Sequence, residues 1–199
     1  RNLLNEDGRN TLTIIHDGFA KLNNVNWKAA GVAIPVFSLR SKKSFGTGEF
    51  TDLKLLVDWA KSTGLKMIQL LPVNDTTATY TWKDSYPYSA ISAFALHPLL
   101  LNLETVAGKE HASVVTALSS KKKQLNKLTS LDYEEVMKYK ISVLRKLYEV
   151  MGADCFESDD YKHFFKHNKH WLESFAAFSY FRDKYGTSNF EEWKTNGIY

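Results

Sequence analysis

The sequence is short of most features that settle a protein's class at sight. It has one cysteine, Cys155, so no internal disulfide can form, which suits a reducing, cytoplasmic setting. It has no run of about 18 apolar residues, so no transmembrane helix is expected. The opening RNLLNEDGRN lacks the apolar core of a signal peptide, and the chain starts on Arg1 rather than Met. Charge of one sign is also scarce: 26 Lys and Arg against 22 Asp and Glu leave +4, too little to imply nucleic acid or a membrane surface as partner. Gly46 and Gly48 form only G-x-G, with no third glycine and no Gly-Lys-Ser/Thr, so a tight turn is favoured over a nucleotide loop. What is abundant is apolar and aromatic side chain, 44% and 14%, which excludes disorder as the main reading. The 199 residues can bury a substantial core but fall short of the roughly 250 of a typical β/α barrel.

The most informative stretch is Ala29–Leu101. Two apolar runs, Gly31–Leu39 and Lys66–Val73, flank an amphipathic run from Phe50 to Ser62. The order predicts strand, helix, strand. The first run is almost continuously apolar, as for a strand covered on both faces, and Pro35 predicts a bulge or an early end within it. In the helix, Phe50, Leu53, Leu56, Val57 and Ala60 share one face. Thr51 or Gly48 is a candidate cap, Glu49 and Asp52 suit the positive end, and Gly64 marks the stop.

Behind the second strand lies a polar, aromatic-rich loop containing Asn74, Asp75, Tyr80, Trp82, Asp84, Ser85, Tyr86 and Tyr88. Functional groups gather at the carboxyl ends of parallel strands. Flat pyranose faces pack on aromatic rings, and phenol hydroxyls bond sugar hydroxyls. The same rings also suit core packing, and the residues alone leave both readings open. Asp75 suits a sugar hydroxyl or a loop cap equally. His97, before Pro98, is read as satisfying a backbone group in the apolar SAFALHPLLLNL, itself a loop or short strand.

From Val106 onward the spacing turns helical, in Val114–Leu118, Tyr133–Val150, Tyr161–Phe165 and Trp171–Tyr185. Asp132 is a candidate cap, followed by a stripe of Tyr139, Val143, Leu147 and Val150. Lys121–Lys123 reads as a solvated loop or helix face. His163, His167 and His170 share a helix face, but no His-Glu-x-x-His is present and Lys162, Lys166 and Lys169 surround them, so no metal is expected. Leu12–Leu22 is mildly apolar, a short strand or helix.

Six motifs in order, GVAIPVFSLRS, FGTGEF, DLKLLVDWA, LLPVND, DSYPYS and SAFALHPL, resemble the start of the catalytic domain of the 4-alpha-glucanotransferase (amylomaltase, disproportionating enzyme) family, nearest its plant-type cytosolic branch. The resemblance extends over about residues 27–199 and includes WLESFAAFSYFRDKYGTSNFEEW. It implies an α/β fold: the first two strands of a (β/α)8 TIM barrel over residues 27–105, preceded by a lead-in or linker at 1–26. An α-helical subdomain inserted after the second strand follows over 106–199. It implies retaining transfer of glucosyl or maltooligosyl units between α-1,4-glucans (maltose, maltooligosaccharides, glycogen or heteroglycan) without a cofactor. Bacterial relatives carry a Ser-Pro-Tyr beside the scissile bond. Here Tyr86-Pro87-Tyr88 occupies that register, making Tyr88 the first substrate-binding candidate and Tyr86, Ser85, Asp75 and Trp82 the next. The nucleophile and acid/base of the family follow later strands and are expected downstream of Tyr199, so no catalytic residue is assigned within this chain. The alternative is a non-catalytic α-glucan-binding or structural remnant of such a barrel.

Overall fold

The computed structural model describes residues 28–197. The lead-in 1–26 and the segment Leu12–Leu22 lie outside the described residues. Strand β1 (Gly31–Ile34) pairs in parallel with β2 (Met67–Leu70), in the register Gly31↔Met67 through Ile34↔Leu70. Helix α1 (Asp52–Ser62) makes the crossover between them, and a parallel pair requires such a connection. Lys66 N–H donates to Ala30 O at 2.9 Å and Leu71 N–H to Ile34 O at 3.2 Å, so the pairing extends slightly past both ends.

Both strands are shorter than the apolar runs that encode them. Pro35 is the reason for the first: it has no N–H to donate, and the chain turns at once into a 3-10 turn at Val36–Ser38. No residue of either strand is buried, and Met67 and Leu70 are exposed, so the expectation of a strand covered on both faces is not met within this chain.

Helix α1 buries Leu56 and Ala60, whereas Val57, expected on the same face, is exposed. Thr51 makes no side-chain cap bond. Asp52 organises this end instead: its Oδ2 accepts from Glu49 N–H and from Ser44 Oγ, each at 2.8 Å. At the far end Gly64 has φ +77, Gly64 N–H donates to Lys61 O and Leu65 N–H to Ala60 O, the paired bonds of a Schellman stop. The glycine turn before α1 binds its own protein rather than presenting free amides. Gly46 N–H donates to Asn126 Oδ1 at 2.8 Å and Gly48 N–H to Phe37 O at 2.7 Å. A Cβ at Gly48 would stand 2.0 Å from Val36 O, so only glycine fits there.

The remainder is helical: α2 (Leu103–Ala107), α3 (Ala112–Thr116), α4 (Ser119–Asn126), α5 (Tyr133–Glu157) and α6 (Asp159–Tyr185). The two late runs of helical spacing, Tyr161–Phe165 and Trp171–Tyr185, lie in one helix, α6. Asp132 caps α5 as expected, accepting from Glu135 N–H at 3.1 Å. The buried stripe of α5 is Tyr133, Val136, Met137, Lys140, Val143 and Leu147, rotated from the expected one, and Val150 is exposed. Phe45, Leu99 and Leu103 share one core with Val115, Leu125, Val136, Met137, Val143 and Leu147, so the core bridges the two halves of the chain. Lys121 and Lys122 lie on α4 and pair with Glu135 and Glu104, at 2.8 and 2.6 Å.

One charge pair sits inside this core. Lys140 Nζ meets Glu49 Oε1 at 2.5 Å, and both side chains are essentially inaccessible. Nζ also donates to Leu99 O and Leu101 O, at 2.7 and 2.6 Å, so all three ammonium protons are used. Glu49 further accepts from Phe45 N–H and Asn102 Nδ2. Burial lowers the Lys140 pKa, with Glu49 opposing that shift. Removing one partner of a buried pair strands the other's charge. Lys140→Met is therefore expected to cost about 3–5 kcal/mol in urea unfolding, while Lys138→Met, on the exposed face of α5, stays within about 0.5 kcal/mol.

Candidate functional site

The carboxyl ends of β1 and β2 open onto a cavity of about 200 Å³. Phe37 lines it from behind β1, and Pro72, Val73 and Asn74 from behind β2. His97 and Tyr133 form a polar wall, and Trp82, Ser85 and Pro87 bring in the aromatic loop.

That loop is tied down by one carboxylate. Asp84 is buried, and its Oδ2 accepts from the backbone N–H groups of Ala78, Thr79 and Tyr80, at 3.1, 2.8 and 2.6 Å. Thr79 Oγ1 adds a bond to Oδ1, and Thr76 Oγ1 donates to Asp84 O at 2.5 Å. Tyr80 takes φ 58 to bring its N–H into this nest. Its hydroxyl bonds Asp183, accepts from Arg182, and is pushed up to about 12 chiefly by burial. Trp82 N–H donates to Glu134 Oε1 on α5 at 3.1 Å.

With the backbone held this way, the rings are free. Trp82, Tyr86 and Tyr88 are 67%, 59% and 61% exposed, and the rings of Tyr86 and Tyr88 lie 5.4 Å apart at 51°. Ser85 is exposed between them and the cavity. Four of the five expected substrate contacts thus lie on one short exposed segment. Among the described residues these three rings are not packed in a core. Asp75 stands apart. It is buried, its Oδ1 accepts from Thr77 N–H at 3.0 Å and Thr77 Oγ1 at 2.5 Å, and it does not line the cavity.

His97 does satisfy a backbone group, as expected: Nδ1 accepts from Leu99 N–H at 3.1 Å. That fixes the proton on Nε2, which faces the Tyr133 hydroxyl at 3.2 Å. Burial lowers the His97 pKa, opposed by Asp75 and Asp84 and assisted by Lys140. Burial raises that of Tyr133. Sequence reasoning placed Asp84 in the loop without giving it a role, and it did not connect Glu134, Tyr133 or Arg182 with the site. The only hint was the hydroxyl-rich TTATYT that precedes Asp84 and bonds to it.

The helical histidines do not converge. The rings of His163 and His167 lie 4.3 Å apart, while His170 sets its ring edge-on to Phe94. Among the described residues no group of three or more His, Cys, Asp or Glu is placed to hold a metal ion. No helix of the described residues is long and apolar enough to cross a membrane.

Comparison with known proteins supplies the family. The family model for 4-alpha-glucanotransferase, glycoside hydrolase family 77, matches residues 34–198. The chain is 42% identical over 180 residues to the 4-alpha-glucanotransferase DPE2 of Oryza sativa subsp. japonica, covering 90% of this chain and 19% of that protein. It is 30% identical over 166 residues to the 4-alpha-glucanotransferase of Chlamydia muridarum, covering 83% and 31%. It is 34% identical over 149 residues to that of Chlamydia caviae, covering 74% and 27%. The chain belongs to the 4-alpha-glucanotransferase family. It spans less than a third of the length of these relatives.

Two outcomes follow from the geometry. Asp84→Ala frees three partly buried N–H groups and is expected to cost about 2–3 kcal/mol and to raise amide exchange over 77–85. For His97 the folded state favours the neutral ring, so the unfolded chain takes up the proton first as pH falls below about 6.5. Stability is then full above that pH and declines below it. In His97→Asn, stability measured from pH 7.5 to 5 is expected to lose that part of its slope.

Proposed function

We propose that this chain supplies the glucan-binding loop of a 4-alpha-glucanotransferase that moves glucosyl or maltooligosyl units between α-1,4-glucans. The observation that carries the reading is the segment 82–88. Trp82, Tyr86 and Tyr88 stand exposed on a pinned backbone beside a cavity at the carboxyl ends of two parallel strands. Exposed rings on a fixed backbone suit the flat faces of pyranose sugars, at little ordering cost on binding.

In this reading Tyr88 makes the main contact, Tyr86 and Trp82 extend the platform, and Ser85 offers a hydroxyl. Asp75 acts behind them, through Thr77 rather than on sugar directly. The uncovered faces of β1 and β2 support their assignment as the first two strands of a (β/α)8 barrel, with residues 106–199 as a helical subdomain walling the cleft. The reaction is a retaining double displacement. A carboxylate nucleophile forms a glucosyl-enzyme intermediate, an acid/base protonates the leaving oxygen, and an acceptor's 4-hydroxyl replaces water. We place both carboxyl groups on other parts of the enzyme, since Asp75 and Asp84 are buried and committed to loop bonds. Maltose, maltooligosaccharides, glycogen or heteroglycan are the proposed glucans, and the cytoplasm the proposed compartment.

The test is Tyr88→Ala in the full-length enzyme. Losing one ring contact of about 2 kcal/mol lowers kcat/KM for transfer between maltose and glycogen about thirtyfold, with an unchanged circular dichroism spectrum. Unchanged turnover would remove Tyr88 from the site.

A further inference from the structure

The rings of Trp82, Tyr86 and Tyr88 are more than half exposed, so their own burial cannot hold them in place. Something else must fix the backbone that presents them. Helix α6 is 27 residues long and buries one residue along its length, Arg182. That side chain points into the loop. Nη1 donates to Thr77 O at 2.7 Å and Nη2 to the Tyr80 hydroxyl at 2.7 Å. Nε donates to Asp183 Oδ1 at 2.9 Å, and the guanidinium stacks over the Tyr80 ring at 4.9 Å. Asp183 closes the set by accepting from the same Tyr80 hydroxyl at 3.1 Å.

Tyr80 sits at the focus of this arrangement. A positive φ is unfavourable for any residue with a side chain, so it persists only where the surroundings impose it. Here two sets of contacts impose it: Asp84 takes the Tyr80 N–H, and Arg182 holds the ring and hydroxyl. Because Tyr80 lies two residues before Trp82, its backbone turn sets the direction in which the segment 82–88 leaves. Arginine reaches the carbonyl and the hydroxyl from two separate nitrogens of one rigid plane, with the ring of Tyr80 against its face, whereas a lysine has a single nitrogen on a flexible stem.

We propose that Arg182 is a positioning residue for the aromatic loop: by clamping Thr77 and Tyr80 from α6, it fixes the turn that presents Trp82, Tyr86 and Tyr88, and so sets the affinity for glucan without touching it. This rests on the glucan-binding reading of that loop. Arg145 is the natural control. It meets Asp183 at 3.6 Å from an exposed position and reaches no loop backbone group.

The experiment uses the full-length enzyme and the variants Arg182→Met, Arg182→Lys and Arg145→Met. Transfer kinetics with maltooligosaccharides are measured alongside amide hydrogen exchange over residues 77–85. For Arg182→Met the expected result is a roughly tenfold rise in KM, kcat within about twofold, and faster exchange confined to the loop. Arg182→Lys falls between wild type and Arg182→Met, and Arg145→Met matches wild type. Unchanged exchange and KM in Arg182→Met would overturn the proposal. So would a fall in kcat that tracks thermal stability at constant KM, because that is the signature of a merely structural arginine. Absence of glucan binding by the wild type would instead overturn the glucan reading, and the exchange measurement would still report whether Arg182 holds the loop.

Discussion

The ammonium of Lys140 sits where a carboxylate and two carbonyl oxygens converge, sealed from water on every side. Its partners come from two parts of the early chain: Glu49 from the turn entering α1, Leu99 and Leu101 from the segment leaving the site. Without the cation, a carboxylate and two carbonyls would face one another in an apolar core. With it, the βαβ portion has one seat on α5. Isolated buried ion pairs are weak sources of net stability, because desolvation offsets attraction. What the geometry shows here is three acceptors converging on one ammonium.

The same helix carries the site. Tyr133 and Glu134 begin α5, and Lys140 lies two turns on. Tyr133 faces His97 across the cavity, and Glu134 holds Trp82 N–H. Any displacement of α5 relative to the glycine turn would therefore reach the loop directly. Asp84 and Arg182 complete the hold, one from within the loop and one from α6. Both charged groups are buried, and each carboxylate oxygen of Asp84 and each guanidinium nitrogen of Arg182 has a hydrogen-bond partner, which suits rigid presentation.

Local features were the legible ones. The βαβ order, the Gly64 stop, the Asp132 cap and the backbone role of His97 each depend on residues a few positions apart, and each stands in the structure. The six motifs identified the family for the same reason: they are contiguous. What stayed hidden was pairing at long range. Lys140 sat in plain view at a core position of the α5 stripe, between Val136 and Val143. A lysine there demands a buried acceptor, but nothing in the sequence says that the acceptor is Glu49. The apolar runs overstate the extent of both strands, while the early end read from Pro35 stands in the structure. Pro35 ended one strand, and the apolar residues past it went to the cavity wall and the core. Asp75 and Asp84, alike in sequence, differ because one bonds a neighbouring threonine and the other gathers three amides.

The loop divides its labour between backbone and rings. Asp84, Tyr80 and Arg182 hold it from the inside and Glu134 at the surface, whereas the side chains of Trp82, Tyr86 and Tyr88 extend outward and carry little of the fold. Substitution at the outward positions can therefore be explored by drift or by a directed library with little loss of folding. On the proposed glucan-binding reading, that makes the segment an evolvable one, in which preference for chain length or branching can diverge between relatives while the scaffold beneath stays the same.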